Sequence, residues 1–423
     1  MSREVRRTDG PSLPKVERIE VSVKRPKLRL ALVIALALLG AGLISYGVYG
    51  LMNRGAGWQE ISVTNSAALN CGGDLTLSYR FEKGRISAEN KLLTILYTQL
   101  CERAYALFQP TREMTGVKNL YTVNASPNVP VEVEPELYEA LSLVQESGSR
   151  AVYLAPIYAE YDQIFFSGSA GEAAPFDPFT DPEQQAYFAE VLNYVGDPAH
   201  VDLELLGGNT VCLHVSDEYL RFAEDYTIEA FVDFHWMKNA FIVDYIAAEL
   251  LENGFTRAVL TSHDGFSRVF CEDEAEIYTY NLLDRSDGKI LVAAQMDYRG
   301  PCSLVSLQSF PANDSYTDYY FEMEPGVFRT AYIDPADGLC RCAVPTLVGR
   351  YEAVSAGCAE ILLQLAPLYI ADTFDAQAAE ALSQRADDNL SGGVYTVYCT
   401  GDTIVCNDPG AVLREVYYTY TVK

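Results

Sequence analysis

The apolar pattern is most continuous near the start of the chain, where Leu30 to Met52 (LALVIALALLGAGLISYGVYGLM) runs 23 residues without a charge. At 1.5 Å rise per residue such a helix crosses a hydrocarbon core of about 30 Å. The pattern therefore predicts a transmembrane helix within 28–52, after a basic segment 1–27 and before a polar stalk at 53–64. Lys24, Arg25, Lys27 and Arg29 precede it and only Arg54 follows closely. The positive-inside rule then puts the N-terminus in the cytoplasm and residues 65–423 outside. A buried core helix of this length would carry a polar face. A cleaved signal peptide would have a shorter apolar run and a shorter lead.

Beyond the stalk the periods change. Leu75-Thr-Leu-Ser-Tyr-Arg-Phe81 alternates like a strand. A helix capped by Ser87 follows, with Leu92, Leu93, Leu96, Leu100 and Ala104 recurring at three- and four-residue intervals. Val133 to Glu146 predicts a second amphipathic helix with Pro135 in its first turn. Ser167 to Pro182 (SGSAGEAAPFDPFTDP) reads as an exposed loop, and Thr210 to Val215 as a short strand. From Ile228 to Leu260 the order is strand (IEAFVDF), helix (AFIVDYIAAELLENG) and strand (RAVL), with Gly254 as helix C′ residue. One more apolar helix spans Ala356 to Ala366, and a hairpin joins Val394–Tyr398 to Thr403–Val405 around Gly401-Asp402. The expected body is one α/β or α+β domain with mixed sheets.

Composition adds compartment and charge. The 423 residues are 49% hydrophobic and 21% charged, which excludes a wholly disordered chain. The first 52 residues hold 9 Lys/Arg against 4 Asp/Glu, a net +5, and the other 371 hold 22 against 54, a net −32. So acidic a body excludes a partner held mainly by phosphate contacts, nucleic acid above all. All ten cysteines follow the predicted helix, in a compartment where disulfides persist, and both buried thiols and structural bridges are open readings. Cys340-Arg-Cys342 is the one close pair and no His follows it at zinc-ligand spacing. None of the four histidines forms an i, i+4 pair around a Glu, which argues against a zinc hydrolase.

Three segments in order resemble the FAD:protein FMN transferases, the ApbE-type flavin transferases. They are GVKNLYTVNASPNVPVEVEPELYEAL (Gly116 to Leu141), FVDFHWMKNAFIVDYIAAELLENGFTRAVLTSHDGF, and AYIDPADG (Ala331 to Gly338). The second is similar to the family's D-L-G-G-I-A-K-G-Y-A-x-D and V-N-x-G-G-D, the third to H-I-I-D-P-x-T-G. SAGCAEILLQLA takes the place of A-D-A-L-x-T-A-L. The resemblance spans roughly Asn70 to Asn407 and implies a flavin transferase-like fold that holds FAD and Mg²⁺ and moves FMN to a Thr hydroxyl of an acceptor protein. It assigns Asn124, Asp233, Asn239, Asp264 and Asp334 to the cofactor and Glu360 to the metal.

The departures fall where that chemistry would sit. Ala356 and Glu360 stand at the metal Asp and Thr, and Ala356 offers no hard oxygen. His235 and Trp236 replace the two glycines, and Asn239 replaces the Lys unless the register slips by one to recover Lys238 and misplace Asp244. The paired glycines of the next turn are lost in Leu260-Thr-Ser-His-Asp-Gly265, Ala331 replaces the His, and Asp337 replaces the Thr of the third segment. Without charges aimed at a pyrophosphate there is little to accelerate its cleavage. Two readings follow for the exported body: a non-catalytic flavin, nucleotide or protein binding module, and an active Mg²⁺-dependent transferase with substituted ligands. Asp233 reads equally as a helix N-terminal acid, Asn124 as the closure of its own turn, and Asp334-Pro335 as a turn.

Overall fold

The structure is a computed structural model that describes residues 34–36, 39–40, 56–84, 86–270, 276–286, 288–312, 318–352, 357–388, 390, 392–417 and 420–423. Most of the predicted transmembrane helix lies outside them. Residues 34–36 and 39–40 are helical, and among the described residues no helix is long and apolar enough to cross a membrane. The chain divides into two units, Met1–Arg54 and Gly55–Lys423.

The second unit is built on a nine-stranded sheet whose spatial order is chain order: Gly57–Ile61, Leu75–Phe81, Ala258–Ser262, Phe266–Val269, Cys302–Gln308, Thr346–Tyr351, Tyr395–Thr400, Thr403–Cys406 and Thr421–Val422. Every neighbouring pair is antiparallel except the last. The fold is therefore α+β with a mixed sheet, and the first strand takes up residues of the predicted stalk. One face packs on helices, with Val305, Leu307, Leu347 and Tyr398 meeting Ile246, Leu250, Ile361 and Leu365. On the other face Leu304, Val348 and Val397 meet Leu282 and Met296 of a three-stranded sheet, Ile277–Ser286, Lys289–Arg299 and Val412–Val416. Each fully buried aliphatic side chain contributes roughly 2 kcal/mol, so burial on both faces is what holds this sheet between its two layers.

Several predicted elements appear as expected. Leu75–Phe81 and Thr210–Val215 are strands, and the C-terminal hairpin closes through Gly401. The predicted helices run Pro135–Ser147, Lys238–Glu252 and Cys358–Tyr369, and Gly254 adopts φ +83° just past the second. Three expectations are corrected. Ile228 to Phe234 forms no strand, because the N–H groups of Phe231 and Val232 bond to the Asn124 side chain and that of Asp233 to the Val152 carbonyl, so Ile228 to Leu260 is not a βαβ unit. The first long helix begins at Ile86, which leaves Ser87 inside it. The Ser167 to Pro182 loop is partly helical, and its Asp177 is fully buried in a bidentate pair with Arg329 at 2.8 Å.

Candidate functional site

Four of the residues that the sequence singles out, Asn124, Asp233, Asn239 and Asp264, gather at the entry to the helix Lys238–Glu252. Asn124, itself buried, straps this entry in place: Oδ1 accepts from Phe231 N and Val232 N, and Nδ2 donates to the carbonyls of Val232 and Pro110. With both amide hydrogens and its oxygen engaged, Asn124 joins two loops. Asp233 follows, its Oδ1 accepting from His235 N at 2.9 Å to start the short turn His235–Met237. Burial raises the Asp233 carboxyl above its ordinary range, against the pull of His235 and Lys238.

His235 carries the decisive geometry. Its φ is +43°, in the left-handed region that favours glycine, at the position where the resemblance places the family's first Gly. An imidazole thus stands on a backbone bend that glycine adopts without steric cost. That ring is 7% exposed, stacks on Tyr158 at 4.4 Å between centroids, meets the edge of Tyr319 at 5.3 Å, and bonds through Nε2 to Asp162 Oδ1 at 3.0 Å. Its Nδ1 is buried without a partner. Trp236 is 3% exposed and sits edge-to-face with Tyr332, which in turn packs on Tyr369. Aromatic side chains thus fill the turn where glycines would let phosphate approach backbone.

A second cluster lies beside it. Asn239 donates Nδ2 to Asp264 Oδ2 at 2.9 Å, joining the helix entry to the turn after strand Ala258–Ser262. Asp264 Oδ1 is buried and unpartnered, and burial pushes the carboxyl up to about 7 despite the bond from Asn239. Asp74, which no motif indicated, adds to that shift and is itself raised by burial; Lys238 and His263 oppose its rise. Gly265 holds the turn at φ +102°, where a Cβ would stand 2.3 Å from the Ser306 carbonyl oxygen. A cavity of about 260 Å³ opens here, lined among others by Ser262, Asp264, Ser306, Gln308 and Tyr320.

The remaining predicted residues lie apart. Glu360, in the first turn of the helix Cys358–Tyr369, faces a different groove of about 760 Å³ that it shares with Glu136, Glu139, Glu249 and Glu252. Burial, then Asp244, raises its carboxyl. Asp244 accepts from Cys358 N at 2.8 Å and Ala359 N at 2.9 Å and pairs with Arg268 Nη1 at 2.8 Å, so its oxygens are spent on the end of the neighbouring helix. Ala356 lies outside the described residues. Asp334 closes its own turn, Oδ1 accepting from Ala336 N at 2.8 Å, and Ala331 is fully buried. Mg²⁺ wants several oxygens in near-octahedral array. Among the described residues no three His, Cys, Asp or Glu side chains converge to supply them, so the donor set around Glu360 does not fit that ion.

No family model and no curated protein matches the chain. Solved structures do. Flavin transferase ApbE from Vibrio cholerae superposes with a TM-score of 0.52 at 12% identity, over 82% of this chain and 95% of that one. The ApbE protein from Thermotoga maritima gives 0.50 at 15% identity, over 80% of this chain and 94% of that one. The fold is that of the flavin transferases. At such identity the likeness fixes architecture alone. Within this flavin transferase fold the helix entry is lined by His235, Trp236 and their tyrosine neighbours. Sequence reasoning reached Asp233, Asn239 and Asp264, but missed Asp74, Tyr158, Asp162 and Tyr319. These come from distant segments with no motif of their own, and only the folded chain brings them to the site.

Proposed function

We propose that the protein is a membrane-anchored, extracytoplasmic module that keeps the flavin transferase fold without the FMN transfer reaction, and acts by binding. The observation that carries this reading is His235: a glycine-type backbone at φ +43° holds a buried imidazole locked between Tyr158 and Asp162. Among the described residues no Mg²⁺ donor set converges at Glu360, which supports it, since pyrophosphate cleavage needs its charge neutralised. The net −32 of the chain beyond Met52 suits a partner of positive charge.

A second reading is favoured by one feature. Asp264 leaves a buried oxygen unpartnered beside Asn239 and near Asp74, which is an oxygen-rich place for a hard cation away from Glu360. On that reading the protein is an active Mg²⁺-dependent transferase that takes FMN from FAD. Titrating FAD into the purified full chain with and without Mg²⁺, and incubating it with FAD and a Thr-containing acceptor peptide, decides between the two. The binding-module reading expects no flavinylated peptide and no Mg²⁺-dependent FAD affinity. Peptide flavinylation that needs Mg²⁺ and is lost in Asp264→Asn would establish the transferase instead.

A further inference from the structure

The groove of about 760 Å³ that Glu360 enters is walled by two helices, Pro135–Ser147 and Lys238–Glu252. Much of its lining is apolar, with Leu143 from the first helix and Phe241, Tyr245 and Leu251 from the second. Against this surface stand the carboxylates of Glu136, Glu139, Asp244, Glu249, Glu252 and Glu360, with Arg268 as the one cation of the lining. Two of the six are already matched: Arg103 Nη2 donates to both oxygens of Glu136 at 2.9 and 3.0 Å, and Asp244 holds Arg268. Among the described residues Glu139, Glu249, Glu252 and Glu360 pair with no cation. Glu249 and Glu252 stand three residues apart on one helix, where like charges repel. Burial, then Glu252 and Glu136, raises the Glu249 carboxyl above its ordinary range.

We propose that this groove docks a basic amphipathic helix of a partner protein, whose apolar side chains meet Leu143, Phe241, Tyr245 and Leu251 and whose Lys or Arg heads meet the four unmatched glutamates. The inference rests on the binding reading for its setting and on the groove for its chemistry. Four unmatched carboxylates repel an anion, which removes phosphate and nucleotide as occupants. A bare metal ion would leave the apolar lining wet, and no three donors among the described residues converge to hold one. Lys and Arg match both halves of the groove, because their stems lie along apolar surface while their heads keep the charge. A helix sets such side chains on one face at three- and four-residue intervals, the mode by which amphipathic helices enter apolar grooves. The walls, 13 and 15 residues long, run for about 20 Å at 1.5 Å rise per residue, which gives such a helix a length to lie along. The net −32 of the chain beyond Met52 steers a partner of this sign toward the body.

The test uses the full chain in a neutral detergent at about 0.15 M salt, with empty micelles as the blank. The probe is a fluorescein-labelled model helix of about 14 residues, Leu on one face and Lys on the other. Fluorescence anisotropy should show saturable binding, and Glu249→Lys/Glu252→Lys should weaken it by about tenfold. Glu183→Lys/Glu190→Lys changes the net charge equally on the helix Pro182–Val195, which does not line the groove, and should bind like wild type. Glu249→Gln/Glu252→Gln, which removes charge and keeps size, replaces the reversal if thermal unfolding shows that the reversal does not fold. No saturable binding above the blank overturns the proposal, and so does equal weakening by both reversals, since overall charge then explains the attraction. Equal binding of the same residues scrambled off one face overturns it too, because the apolar lining then takes no part and a free polycation is the occupant. The flavin assays test the functional reading separately: FMN transfer by a protein that still binds the helix through Glu249 and Glu252 would sink that reading and leave the groove standing.

Discussion

Single residues carry the conflict in this molecule between backbone conformation and side chain. A left-handed φ costs an L-residue roughly 1–2 kcal/mol, and His235 bears it because the ring stack on Tyr158 and the Asp162 bond hold the imidazole where it is. Asp264 bears a cost of a different kind. Its carboxyl titrates near 3.8 when unfolded and at about 7 in the fold, chiefly because burial penalises the charge. Between these values the unfolded chain has lost the proton that the native state keeps, so stability falls as pH rises from about 4 to about 7 and levels off above. Asp264→Asn keeps an oxygen for Asn239 and removes the charge. It should therefore be more stable than wild type at pH 8, equal to it near pH 3.5, and flatter between, as read by urea denaturation across that range. Identical pH slopes for the two proteins would show that Asp264 does not carry this term.

Among the elements, the junction of helices Lys238–Glu252 and Cys358–Tyr369 is the clearest case of one side chain setting a fold. Asp244 accepts from two N–H groups at the start of the second helix, which has no side-chain cap of its own, and pairs with Arg268, whose side chain is 8% exposed. Asp244→Ala leaves those donors and that guanidinium unmatched and should destabilise the protein by about 2–4 kcal/mol. Asp244→Asn should recover part of the loss; both are measurable by equilibrium denaturation. The sequence made the helix legible through its apolar spacing, and Asp244 through its place in the family-like segment, but not the role that Asp244 plays. Strand Leu75–Phe81 was legible because every second residue is buried. The central strand Cys302–Gln308 was not, because all seven of its residues are buried and alternation vanishes between two packed layers. Ile228 to Phe234 misled for the reverse reason. It has strand-like composition, yet its backbone bonds go to the Asn124 side chain, a partner more than a hundred residues away that no local pattern announces. Of the site, Asp233, Asn239 and Asp264 could be named from a resemblance. The aromatic environment of His235 could not, since Tyr158 and Tyr319 reach it from separate loops and helices.

For the whole molecule, charge distribution sets the terms. The first 52 residues carry +5 and the rest −32, and a boundary so sharp at the end of a 23-residue uncharged run fits a bilayer lying between the two. The positive end favours the cytoplasmic side, where anionic lipid and the insertion machinery hold Lys and Arg. On the proposed topology the acidic body faces outward, away from the anionic lipid of that leaflet. Protease added to intact cells should therefore release a fragment beginning soon after Arg54 and leave residues before Leu30 protected, read with antibodies against tags at each end. A cytosolic marker must survive the same treatment. Full protection of the body, or release of the N-terminal tag, would invert the topology. It would also put the −32 body among cytoplasmic partners, so this single measurement bears on every larger-scale statement about the protein.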